Sequence, residues 1–289
     1  MSNVKTESKL LKNNIKKRIL INRLFQGLIV ILAMLPVIPL VLIIYDITVK
    51  GISAISWQFL TTMPVPMGEE GGGILNSLIG TLLLVLIATI FSGLTGICGG
   101  IYLAENRKSQ LAGGVRWTVD VLQGIPSIVM GIIGYIWFVL PFGGFSGLSG
   151  GLTLGLMMLP IVIKSTEETV RLIPNTLKEA SLALGVPYYR TILKVILPAA
   201  FSGVATGLLL GISRVAGETA PLLFTAFGNP FLSMNILKPV DSLPLLIYNY
   251  ATSPYENMHT IAWGASFVLV VMILALNLLT RFVVRRRAV

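Results

Sequence analysis

Apolar residues in this chain gather into long uninterrupted runs, and charged residues gather into short clusters between them, a pattern that predicts membrane-spanning helices. The run from Leu24 to Tyr45 holds 22 residues without a charge, enough to cross a hydrocarbon layer roughly 30 Å thick at about 1.5 Å per residue. Pro36 and Pro39 are expected to kink this first span, which membrane helices tolerate. The next uncharged stretch, Gly71 to Ala104, is 34 residues long. A second span is placed there at Ile74 to Ile97, with Gly93, Gly96, Gly99 and Gly100 permitting close packing or a bend. A third fits Val121 to Leu140, followed by the turn-rich PFGGFSGLSGG. The fourth, Leu152 to Ile163, is short and must borrow residues from that turn or cross with little tilt. A fifth fits Ala199 to Leu223 and a sixth Thr260 to Thr280, separated by a proline-rich outer loop, Gly228 to His259, able to dip back toward the membrane.

Composition sharpens this picture. Of 289 residues 54% are hydrophobic and 12% charged, about half the charged share of a globular chain, and mean hydropathy is +0.84. The expected fold class is all-α: a polytopic membrane protein with six transmembrane helices. A net charge of +10 also suits nucleic-acid binding, so the positions of the charges decide. Seven Lys or Arg precede Leu24, three lie between Glu105 and Trp117, five between Lys164 and Lys194, and four follow Thr280. These 19 of the 22 fall on one side of a six-span map, which makes that side, with both termini, cytoplasmic. Lys50 and Lys238 fall in outer loops, and Arg214 falls inside a span.

The chain then divides into a basic cytoplasmic segment, 1–23; a first span with its outer loop, 24–70; a core with five spans, 71–280; and a basic tail, 281–289. The segment KNNIKKRILINR reads equally as an interfacial amphipathic helix or as a flexible tail. No GxxxxGK[ST] and no HExxH occur, so ATP hydrolysis and zinc proteolysis lack their local signatures. His259 is the only histidine and is expected at an edge or in a loop, while Cys98, the only cysteine, reads as a buried, unreactive thiol.

Lys164 to Lys194 carries five basic and three acidic residues in 31 positions, too many for lipid, and is read as a cytoplasmic insertion. Pro174 and Asn175 punctuate one helix and start the next, and Gly185, Val186 and Pro187 end it. Leu177, Ala180 and Leu184 share a face of that short helix, a stripe that packs either on this chain's own span ends or in a groove on a separate protein. Here the residues resemble a family signature. Permease subunits of ATP-binding-cassette importers carry EAA, three residues, Gly, nine residues and I-x-L-P, and this chain has Glu179, Ala180, Ser181, then Gly185, then Val195, Leu197 and Pro198 at those offsets. Ser181 and Val195 are the two departures. The resemblance implies a coupling helix that docks onto a separate ATPase, with Glu179 its polar contact and Gly185 its turn.

Arg214 and Glu218, four residues apart in GISRVAGETAPLLFTAFG, are expected to share a helix face and pair. Two readings stand: an ion pair that locks helices together, or an anionic-substrate element in which Arg214 attracts and Glu218 orients or offsets. The stretch AGETAPLLFTA resembles the phosphate-importer branch of the same permease family, as do GIYLAEN, QGIPSIVMG, LTLGLMMLPIVIKSTEE and PLLIYNY. Where that branch commonly has Arg-Thr-Thr-Glu-Glu, this chain begins with Lys164, which keeps the charge near the cytoplasmic edge and loses bidentate geometry. The resemblance implies a type I importer permease with no catalytic residues, metal or cofactor of its own. It also implies a second homologous permease, two ATPase subunits that bind ATP and Mg2+, an extracytoplasmic phosphate-binding protein, and a prokaryotic inner or plasma membrane. Transport of another small anion such as sulfate or molybdate, and a non-transport membrane scaffold, are the alternatives.

Overall fold

The computed structural model describes residues 2–66, 69 and 71–287, with side chains for 18–66, 69, 71–278 and 282. The chain separates into two compact units, Met1–Lys50 and Gly51–Val289. In the first, α1 (Ser2–Met34) leads to α2 (Val37–Ala54), which continues past the unit's end. Pro36, lacking an N–H, falls at the break between them. Arg18–Ala54 is long and apolar enough to span a membrane, more than the Leu24 to Tyr45 expected. The backbone ahead of it is helical from Ser2, not an irregular tail, and the side chains of 1–17, on which its amphipathic reading depends, lie outside the described residues.

In the second unit α3 (Trp57–Thr61) precedes α4 (Leu75–Glu105), α5 (Gln110–Gly124), α6 (Ser127–Phe142), α7 (Gly147–Leu172), α8 (Asn175–Ala183), α9 (Tyr188–Val215), α10 (Ala220–Leu223), α11 (Leu243–Ala251) and α12 (Glu256–Arg287). Among the described residues five helices are long and apolar enough to cross a membrane, and six if the bent pair α5 and α6 forms one crossing. Several expected boundaries change for physical reasons. The third span, Val121 to Leu140, is not straight: Pro126 forces Ile125 into extended geometry, and the two pieces meet at 111°. The fourth does borrow from the turn, starting at Gly147 on a Ser146 cap, but it also runs on to Leu172 through the first charges of the expected insertion. Those charges are tolerated because they are paired, Lys164 with Asp120 at 2.5 Å and Glu167 with Arg116 at 2.7 Å. The fifth stops at Val215, well short of Leu223. The expected outer loop contains α11, which packs back on α4 and α12. Cys98 is exposed on α4, not buried.

Lipid offers no hydrophobic drive between helices, so close backbone approach must supply the contact. α7 lies between α4 and α9, and glycines make both seams. On the α4 side, a Cβ at Gly96 would sit 2.8 Å from Val162 and one at Gly100 2.5 Å from Thr166. Across the same seam, a Cβ at Gly151 would sit 2.6 Å from Ile87 and one at Gly155 2.7 Å from Phe91. On the α9 side, a Cβ at Gly203 would collide with Thr169, one at Gly207 with Ser165, and one at Gly211 would sit 2.6 Å from Met158. Helices α6 and α9 each contain one π-type turn, Tyr135–Val139 and Ile192–Ile196, placed just before Leu140-Pro141 and Leu197-Pro198. Each Leu N–H bonds the carbonyl five residues back, while the following proline has no N–H to give.

The loop between α10 and α11 closes the end of the bundle where α4 and α7 begin. Its Lys238 and Ile236 carbonyls accept from the N–H groups of Gly147 and Leu148 at 2.9 and 2.7 Å, satisfying donors that a helix start leaves unpaired. Asp241 accepts from the Ser77 hydroxyl at 2.5 Å, Asn76 donates to the Asn229 carbonyl at 2.7 Å, and Thr81 accepts from Leu243 N–H at 2.8 Å. Burial pushes the Asp241 carboxyl up to about 6, against the opposing pull of hydrogen bonds from Ser77 and the Ser242 backbone.

Two outcomes follow. Gly207→Leu is expected to cost about 1–3 kcal/mol by overpacking against Ser165, read as a lower midpoint of thermal unfolding in detergent. Gly114→Ala, with nothing within 4 Å, should leave that midpoint unchanged or raised. Because the folded Asp241 value lies above its ordinary 3.8, ionisation disfavours the fold. The cost grows as pH rises through about 4 to 6 and reaches roughly 3 kcal/mol above that window. Asp241→Asn should therefore raise the midpoint at neutral pH, with the difference from the unmodified protein vanishing near pH 4.

Candidate translocation and coupling site

The short helix α8 hangs between α7 and α9 on one extended link and one glycine turn. Pro174 caps its start, and Gly185 ends it at φ +73°, a left-handed conformation in which a Cβ is strained. This is the turn expected at Gly185. Leu177 and Leu184 are exposed, as are Glu179 and Ala180, so the apolar stripe does not pack on this chain's own span ends. The flank beside that stripe does. Ser181 is buried with its hydroxyl 2.9 Å from that of Thr191, and Lys178 pairs with Glu105 at the end of α4. The departure of the motif at Ser181 thus has a use: an alanine there would make no such bond. Leu197 and Pro198 begin the regular part of α9 directly after its π-type turn.

At the other candidate site Arg214 stands in the last turn of α9 and Glu218 lies beyond the helix, so the expected shared helix face is replaced by a turn through Gly217. The two still approach, Arg214 Nε to Glu218 Oε1 at 3.8 Å, an ion pair without a hydrogen bond. The Arg214 side chain is 44% exposed and Glu218 19%, which leaves most of the guanidinium's five donors open to another acceptor. Beyond them α10 packs on α6, where a Cβ at Gly131 would come 2.8 Å from Pro221. Lys164 lies within α7, and its ammonium reaches Asp120 and donates to Gln123 at 2.8 Å, both on α5 just before the 111° break.

Arg116, on α5, donates to Glu167 and, at 2.7 and 3.3 Å, to the carbonyls of Leu103 near the end of α4 and of Arg107 just beyond it, while Arg171 shares Glu167. Sequence reasoning missed Asp120, Gln123, Glu105, Tyr188, Arg116 and Asp241. Their partners lie tens of residues away, and no local spacing announces such pairs. The end of the uncharged stretch at Ala104, directly before Glu105, is the one signal available. Gly147–Gly151 spells the G-x-S-x-G of serine nucleophiles, but Ser149 is fully buried and its hydroxyl lies 2.8 Å from that of Ser146. Among the described residues no group of three or more His, Cys, Asp or Glu could hold a metal ion.

The profile of the family described as binding-protein-dependent transport system inner membrane component matches residues 96–289. The phosphate transport system permease protein PstA of Yersinia pestis is 41% identical over 249 residues, covering 86% of this chain and 84% of that protein. The PstA of Haemophilus influenzae is 40% identical over 261 residues, covering 90% and 92%. Among solved structures, the inward-facing MetNI methionine ABC transporter superposes with a TM-score of 0.62 at 19% identity, over 74% of this chain and 95% of that one, a likeness of fold. Family profile, sequence relatives and bundle architecture agree, and the chain belongs to the PstA family of binding-protein-dependent transport permeases.

Proposed function

We propose that this chain forms half of the path of an ATP-driven importer of inorganic phosphate. A second homologous permease supplies the other half, two ATPase subunits sit beneath α8, and an extracytoplasmic phosphate-binding protein delivers the ion at the opposite end. The observation that carries this reading is α8, one flank of which is tied to the bundle through Ser181 and Lys178 while Leu177, Glu179, Ala180 and Leu184 stay exposed. An apolar stripe with a charged flank, held rigidly from behind, suits a groove on a partner. ATP and Mg2+ belong to that ATPase. In this reading 71–280 form the core permease and 164–198 its coupling region. Both termini lie in the cytoplasm of a prokaryotic cell, below its inner or plasma membrane.

Phosphate is drawn by Arg214, whose single loose carboxylate partner leaves donors for an oxyanion. Glu218 keeps the site near neutral when phosphate is absent. Lys164, balanced by Asp120, offers a second positive group at the break between α5 and α6. Closure of the ATPase pair pushes α8, and the rigid α7 and α9 seams carry that push to the residues around Arg214, so that the open side of the path alternates.

Arg214→Gln is expected to lower phosphate uptake per assembled complex at least about tenfold, because an unpaired Glu218 repels the anion. Arg214→Gln with Glu218→Gln should not restore it, and near-normal uptake by a well-assembled double variant would reduce the pair to a structural lock. Orientation has its own check. On a Cys98→Ala background, Phe231→Cys should react with an impermeant thiol reagent added outside intact cells and Leu184→Cys should not; both sites are well exposed. Labelling of Leu184→Cys from outside would invert the topology.

A further inference from the structure

Helix α8 is joined covalently only to its neighbours α7 and α9, through the extended Ile173-Pro174 link and the Gly185 turn. Links of this kind transmit translation and leave rotation about themselves free. A third attachment removes that freedom. The Glu105 carboxylate, the last residue of α4, pairs with Lys178 on the inner face of α8 and accepts a hydrogen bond from the Tyr188 hydroxyl at 2.5 Å, on the same oxygen. Lys178 in turn lies 4.9 Å from the centroid of the Tyr188 ring. The three side chains therefore close a triangle between the end of α4, the middle of α8 and the first residue of α9.

The Ser181 hydroxyl holds α8 to Thr191 of α9, and the triangle is the attachment that reaches α4. Beside it a cavity of about 600 Å3, lined by Glu105, Arg107, Lys108, Asn175, Lys178 and Glu179 among others, separates α8 from the α4–α5 connection. Polar contacts, not packed side chains, bridge the gap. Glu105 and Lys178 are 17% and 25% exposed, so the pair is partly desolvated and is screened less than a surface pair. Burial alone would lower the Lys178 amine, but the hydrogen bond and charge of Glu105 outweigh it and hold the amine above its ordinary value.

We propose that Glu105 is a positioning residue for coupling: through Lys178 and Tyr188 it locks the angle of α8 and passes the motion of α8 directly into α4. The glycine seam then hands that motion to α7 along its length. The stroke thus reaches the centre of the bundle by a route that bypasses the two covalent links. This rests on the reading of α8 as the ATPase contact.

The test uses the whole transporter, both permeases with the ATPase and the phosphate-binding protein, in lipid vesicles, and measures phosphate uptake and ATP hydrolysis on the same preparation. Glu105→Gln should assemble normally and keep phosphate-stimulated hydrolysis within about twofold, while phosphate moved per ATP falls about fivefold, the change expected from losing one partly buried ion pair. Tyr188→Phe, which removes one hydrogen bond and keeps the packing, should lower the same ratio by about twofold. The swapped pair, Glu105→Lys with Lys178→Glu, should recover at least about half of the original ratio, since it rebuilds the attraction with reversed sign. An unchanged ratio in Glu105→Gln overturns the proposal, and so does a lowered ratio that the swap fails to raise, because a general packing defect would behave that way. If the unmodified complex itself shows no phosphate-stimulated hydrolysis, the docking of α8 on an ATPase fails, and this inference fails with it.

Discussion

The close approach of α4 and α9 to α7 is the constraint from which the rest of the structure follows. Inside a membrane a bulky apolar residue gains as much from lipid as from a neighbouring helix, so two helices prefer each other only where they fit more closely than lipid can. Gly96 and Gly100 on one side, Gly203, Gly207 and Gly211 on the other, and Gly151 and Gly155 on α7 itself provide that fit. With both flanks held at backbone distance, α7 has little freedom to rotate or slide. Everything attached to it inherits a fixed position: the cap at Ser146, Lys164 opposite the break in α5 and α6, and the point at Leu172 from which α8 departs.

A rigid centre makes sense of where irregular backbone occurs. The break at Ile125-Pro126, the end of α9 at Val215 and the short α10 interrupt regular helical bonding, which lipid would penalise. They collect at one level of the bundle, where α10 meets α6, and Arg214 and Glu218 belong to the same stretch. Non-helical backbone and ionisable side chains have the same requirement there, protein or water around them in place of hydrocarbon. The anion path proposed above would satisfy both.

The sequence disclosed these features unevenly. Long apolar runs were legible because crossing a membrane imposes a length and excludes charge, and the turn at Gly185 was legible because few residues tolerate its geometry. Boundaries were less so. The span ending near Ile163 was cut short because Lys164 and Glu167 look forbidding in isolation, whereas their partners Asp120 and Arg116 lie on another helix. The break at Pro126 was visible as a residue but not as a bend, since a proline kinks some helices and ends others according to what surrounds it. The glycines were noticed as permissive, while the helix each would face could not be read from spacing alone. Cys98 shows the same limit: in a membrane an apolar neighbourhood in sequence does not distinguish the protein's interior from its lipid-facing surface.

The π-type turn in α9 gives a different meaning to the spacing of the coupling motif. A regular helix turns about 100° per residue, so Thr191 and Gly203, twelve positions apart, would point about 120° away from each other. One extra residue accommodated in a widened turn brings them to within about 20°. Thr191 can then hold Ser181 while Gly203 meets Thr169 on the same side of the helix. The interval from Gly185 to Leu197-Pro198 is in this sense a phase as well as a length. Removing a single residue from Ile192–Ile196 would close the widened turn and leave eleven regular positions between Thr191 and Gly203, about 20° apart, so the bearing of α8 would survive, whereas removing one from the regular helix on either side would turn it by about 100°.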